Sequence, residues 1–81
     1  METKDKIKTL TNEFLGTTHP FSTLEEEKQV LYGIVSDSIK ATNYVITIED
    51  EFDIEIEDEE LDLRFFSSID RIVEIVNKYK N

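Results

Sequence analysis

The apolar residues near the start of the chain, Ile7, Leu10 and Phe14, recur at helical spacing with Leu15 beside them. Gly16 follows where a left-handed residue would end that helix, so the pattern predicts a first helix over Thr3 to Leu15. From Gly16 to about Ser36 the pattern is irregular. This stretch holds His19-Pro20 and two overlapping capping pairs, Ser22 with Glu25 and Thr23 with Glu26. A short helix near residues 23–32, with Leu24 and Leu31 inward, fits that stretch. Asp37 then reads as an N-cap with Ser38 in the first turn of the next helix. Ala41, Val45, Ile48 and Phe52 form its apolar face, while Ile39 and Ile46 fall off that face, one heptad apart.

The β-branched run Val45-Ile46-Thr47-Ile48 and the alternation from Phe52 to Ile56 both carry strand character. A lone strand would find no partner elsewhere in the chain. Residues 53–56 are therefore expected as extended loop and 57–62 as a short helical turn. In the last segment Ser67 and Asp70 have capping-box spacing, and Ile69, Ile72, Val73, Val76 and Tyr79 line one face. Lys78 and Lys80 stand at its C-terminal end, where the helix dipole favours cations. The expectation is an all-α fold: a small bundle of three main helices plus one short helix, with a long first loop. Two glycines and one proline make an all-β fold a poor fit.

Composition narrows what such a bundle can do. Its 81 residues are read as a single domain, 1–81. A chain this short buries only about 60–65% of the surface its unfolded form exposes, which leaves little room for a deep catalytic cleft. It is expected to be acted on by enzymes and not to be one. With no cysteine, any thiol chemistry needs a thiol from a cofactor, and the single histidine, His19, cannot form a multi-histidine metal site. No apolar run approaches the roughly 20 residues of a membrane span, and the charged N-terminus lacks the apolar stretch of a secretory signal. A soluble, cytoplasmic, monomeric protein is the expectation.

Nine basic residues against 19 acidic ones give a net charge of −10. That disfavours nucleic acid and anionic membranes as partners and favours proteins with basic patches. The acids are concentrated: from Glu49 to Asp62, 10 of 14 residues are acidic and none is basic. Phe52, Ile54, Ile56 and Leu61 interrupt this run regularly, which disfavours disorder.

Asp37-Ser38-Ile39 at the start of a helix, with a dense acidic segment about a dozen residues later, resembles the acyl carrier protein family. That family carries Asp-Ser-Leu at the start of its second helix. The stretch from Asp37 to Glu60 is similar to its second helix and following loop, most closely at Glu49-Asp50-Glu51-Phe52-Asp53 and Glu55-Ile56. Leu15-Gly16 and Ser68-Ile69-Asp70 match its first helix end and last helix start, so the resemblance covers essentially the whole chain. It implies that a phosphopantetheinyl transferase attaches 4'-phosphopantetheine from coenzyme A to Ser38, within the motif begun by Asp37. Acyl groups would ride on the arm as thioesters, folded against residues such as Val45, Ile48 and Ile56. The phosphodiester would face free backbone N–H groups and the positive end of the helix dipole. The resemblance also implies that biosynthetic enzymes with basic patches dock on a surface of Ser38, Ile39, Ile46, Glu49 and Asp50. Paired apolar anchors ringed by acids suit such a transient interface.

Several positions depart from the family pattern. Ile39 replaces leucine, Val35 a typical glycine, Lys40 and Asn43 frequent acids, and Glu57 a common proline. These departures point away from general fatty-acid synthesis and towards a specialised acyl or polyketide carrier. An aminoacyl or D-alanyl carrier is the neighbouring alternative, and an unmodified acidic helical interaction module is the alternative from another class. A calcium loop is excluded because Asp50, Asp53 and Glu55 lack its spacing and central glycine. His19, Asp37 and Ser38 are the ingredients of a hydrolase triad without a nucleophile elbow. Phe65 and Phe66 are expected in the core or anchoring a loop; for Tyr32 and Tyr44 the alternatives are partly exposed core and rim contacts.

Overall fold

The computed structural model describes residues 2–80. Their elements run α1 (Thr3–Leu15), α2 (Leu24–Val35), α3 (Ser38–Phe52), a 3₁₀ turn (Asp58–Glu60) and α4 (Ile69–Lys80). The all-helical bundle expected from the sequence is present. α1 packs on α3 and α4, and α2 packs on α3. The radius of gyration, 11.5 Å, is close to the value of about 11.7 Å for a compact chain of this length.

α1 ends as the sequence indicates. Gly16 takes the left-handed conformation (φ 69°), and the N–H groups of Gly16 and Thr17 bond to Glu13 (3.3 Å) and Asn12 (2.9 Å) carbonyls. The side chain of Asn12 then folds the chain back, accepting from the Thr17 hydroxyl and the His19 N–H and donating to the His19 carbonyl. The buried face of α1 centres on Ile7 and on Thr11, a polar residue that is fully buried. The Thr11 hydroxyl donates to the Ile7 carbonyl (2.7 Å) and lies 2.7 Å from the hydroxyl of Tyr44 on α3. Tyr44 is likewise fully buried, and desolvation pushes its phenol up. Tyr32, by contrast, is exposed.

α2 is longer than the short helix expected near 23–32. It uses the Thr23–Glu26 pair: the Glu26 N–H donates to Thr23 Oγ1 (3.1 Å), and the Glu26 carboxylate accepts from the Ser22 N–H (2.8 Å). It runs on through Gly33 to Val35, because Leu31 and Ile34 are both fully buried against the core. The loop after Gly16 shortens accordingly. Leu24, expected inward, is 54% exposed, because the buried stripe starts one turn later at Glu27.

α3 holds its β-branched run because tertiary packing outweighs propensity: Tyr44, Val45 and Ile48 are buried in one face. It ends at Asp53 in the left-handed region (φ 54°), a conformation that Asp tolerates. From Ile54 the chain has no regular structure until the 3₁₀ turn, as expected for a loop followed by a short turn within 57–62, whereas Asp53, expected extended, is left-handed. At α4 the expected Ser67–Asp70 capping box is not formed. Ser68 accepts from the Arg71 N–H (3.1 Å), while Ser67 donates to the Arg64 carbonyl and Asp70 pairs with Lys4 at 2.9 Å. The Ile69 N–H is capped from another helix, by the buried carboxylate of Glu27 (2.9 Å). The buried face of α4 is Ile69, Ile72, Ile75 and Val76, with Val73 and Tyr79 at its margin.

Phe65 and Phe66 are both core residues. With Phe14 and Tyr44 they form an aromatic row: Phe14–Tyr44 at 5.4 Å, Tyr44–Phe66 at 6.1 Å and Phe66–Phe65 at 5.0 Å between ring centroids.

Candidate functional site

The short α2–α3 junction places Ser38. α2 finishes at Val35, and the Asp37 carboxylate accepts from the N–H groups of Ile39 (3.0 Å) and Lys40 (3.1 Å). Asp37 is therefore the cap, which fixes the chain direction into α3. Ser38 is the first residue of the helix and is exposed, so its hydroxyl is not the one that caps α3. The expectation that free first-turn amides await a phosphate is altered, because two of them are already held by Asp37. What remains for an anion on Ser38 is the positive end of the helix dipole.

Beside Ser38 opens a cleft of about 450 Å³. α3 forms one wall with Ala41, Val45 and Ile46, and Ile56 and Leu61 form the other. Val35 and Phe66 also line it, and Thr42, Glu49 and Asp58 add polar groups. The cleft is thus mostly apolar with Ser38 on its lining, and it falls in the lower half of the usual range for small-molecule sites. Of the residues expected beneath an acyl chain, Val45 and Ile56 line it; Ile48 lies buried outside that lining.

The far wall is tied down at both ends. The Glu49 carboxylate accepts from the Ile56 N–H (2.7 Å), and the Glu49 carbonyl accepts from the Ile54 N–H (3.0 Å). At the other end the Glu60 carboxylate accepts from Lys78 Nζ (2.5 Å) and the Tyr79 hydroxyl (3.1 Å) of α4. Lys78 holds the Glu60 carboxyl below the usual carboxylate range, and Glu60 in turn raises Lys78. Within the same wall a hydrogen bond with Glu59, and its charge, keep the Glu57 carboxyl above that range.

The four residues expected to receive partners divide. Ile39 is 74% exposed and Ile46 46% exposed on α3, and Asp50 is also exposed. Glu49 is half-buried, and one of its oxygens is engaged with the loop. Ile46 serves two surfaces, since it is exposed and also lines the cleft. The triad ingredients are kept apart: His19 lies against Phe21 and 3.8 Å from Glu26, lining a different concavity from Ser38. Sequence reasoning missed Val35, Leu61 and Phe66 as cleft residues; their only signal was apolar character. Among the described residues no helix is long and apolar enough to cross a membrane. No family model matches the chain, and no curated protein or solved structure matches it.

Proposed function

We propose that this protein is an acyl carrier modified on Ser38 with 4'-phosphopantetheine. The observation that carries the reading is the position of Ser38: exposed, relieved of capping by Asp37, and on the lining of an apolar cleft. In the loading step the Ser38 hydroxyl oxygen would form an ester bond to the phosphorus that bears the pantetheine arm of coenzyme A. The bond from that phosphorus to the adenosine 3',5'-bisphosphate leaving group breaks, and the serine proton leaves to the transferase. The arm, when bound, supplies the thiol on which acyl groups are held as thioesters.

The residues of this chain then shelter and present the cargo, and partner enzymes do the chemistry. Val45, Ile56, Leu61 and Phe66 offer apolar surface to an acyl chain, worth about 0.8 kcal/mol for each methylene removed from water. Ile39, Ile46 and Asp50 offer exposed apolar and acidic contacts to the basic patch of a transferase or acyl-transferring enzyme. We place the carrier in the cytoplasm, as a monomer, in fatty-acid or specialised acyl biosynthesis.

The test is intact-protein mass before and after incubation with coenzyme A, magnesium and a broad-specificity phosphopantetheinyl transferase. A gain of one phosphopantetheine group in the native chain, absent in Ser38→Ala, is expected. An equal gain in both would move the attachment elsewhere. No gain in folded protein with any transferase tried would favour the unmodified interaction module.

A further inference from the structure

We propose that Phe66 is the stop that sets how much of a straight acyl chain this protein can shelter; this rests on the carrier reading. The cleft beside Ser38 is bounded by residues from several segments. On one side the segment from Ile54 to Leu61 contributes Ile56 and Leu61, and is fastened by hydrogen bonds from Glu49 and Glu60 near its two ends. Ile56 is also buried in the core, with Ile54 and Leu61 packed against it. Phe66 lines the cleft, is 6% exposed, and stands in a row of aromatic rings. Its ring packs edge-on against Phe65 (5.0 Å, 73°) and tilted on Tyr44 (6.1 Å, 38°).

Tyr44 cannot make room behind it. It is fully buried, its hydroxyl lies 2.7 Å from that of Thr11, and Phe14 packs on its ring at 5.4 Å. Displacing Phe66 inward would press on Tyr44 and disturb a buried hydroxyl pair, which close-packed interiors resist. A chain entering from Ser38 along Val45 and Ile56 therefore gains apolar contact until it meets the Phe66 ring. Methylenes beyond that point remain in water. The length of acyl chain that can be sheltered then depends on residue 66.

The experiment loads native protein, Phe66→Leu and Phe66→Trp with acetyl, butyryl, hexanoyl, octanoyl and palmitoyl phosphopantetheine, scores each by mass, and measures the thermal midpoint. In native protein the midpoint should climb with chain length and then level off. The break should move to longer chains in Phe66→Leu and to shorter ones in Phe66→Trp. A fall in the overall midpoint is what a merely structural residue would produce; the position of the break is what tests the stop. An unmoved break in both variants, a steady climb through palmitoyl, or no climb at any length would overturn the proposal. A parallel series titrates free straight-chain alcohols, propanol to decanol, into unmodified protein and follows the Val45 and Ile56 methyl resonances. The break in their response should shift with residue 66 in the same directions. Should Ser38 refuse loading, the carrier reading fails by itself, and the alcohol series still decides the stop on the same criteria.

Discussion

Replacing Glu49 separates two roles for one carboxylate. If Glu49 acts chiefly as a docking acid, Glu49→Ala and Asp50→Ala should behave alike: normal stability and weaker partner binding. The geometry says otherwise, since Glu49 is half-buried and accepts the Ile56 N–H at 2.7 Å, whereas Asp50 is exposed. A hydrogen bond to a charged group contributes about 1.5–3 kcal/mol, and partial exposure argues for the lower end, about 1.5–2 kcal/mol. In a domain of this size that lowers the thermal midpoint by roughly 4–8 °C per kcal/mol. Glu49→Gln keeps an acceptor oxygen and should recover most of the loss, while Asp50→Ala should stay within about 0.5 kcal/mol of native. Urea unfolding of unmodified protein reads all three, with hydrogen exchange at the Ile56 amide as the local reporter. Equal stability of Glu49→Ala and Asp50→Ala, with unchanged Ile56 protection, would refute the reasoning.

Ser38→Ala should abolish loading at a stability cost below about 1 kcal/mol, because the side chain is exposed and Asp37 carries the cap; unfolding of the variant would contradict this. Asp50→Lys should lower the transferase's kcat/KM through KM, and by a larger factor at low salt than at high; a salt-independent effect would count against electrostatic docking. The Glu60–Lys78 pair should make stability depend on acid. Lys78 depresses the folded-state pKa of Glu60, so this contribution is present above the ordinary value of 4.5 and is lost as pH falls through the depressed one. Urea midpoints should therefore decline more steeply below about pH 5 in native protein than in Lys78→Ala, and parallel declines would reject the pairing.

Three helices were legible in the chain because each carries an apolar stripe with a terminal signal: Gly16 after α1, Asp37 before α3, Lys78 and Lys80 closing α4. α2 was harder to read because its inward stripe opens on a carboxylate, Glu27. Thr11 hid in α1 for the same reason: a polar residue enters the core when a partner awaits it, here Tyr44, 33 positions later. Ser38, Asp37 and the exposed pair Ile39 and Ile46 could be found from local pattern. The cleft could not, because its walls come from α3 and from a segment without periodicity, brought together only by packing. Glu49 read as a surface acid because its partner is a backbone amide in that segment, which no side-chain pattern reveals.

The bond from Glu27 to the Ile69 amide spans 42 residues. Most helices carry their own start signal and can flicker into shape as soon as they are synthesised. α4 borrows part of its start from α2, and receives it only after the intervening chain has closed on itself, at an entropic cost. Its first turn is therefore completed only in the assembled bundle, where Glu27 adds to the local cap from Ser68. The arrangement ties the chain's second and last helices through one buried hydrogen bond. Glu27 thus acts as a clasp between the middle of the chain and its end, added to the apolar packing that α4 shares with α1.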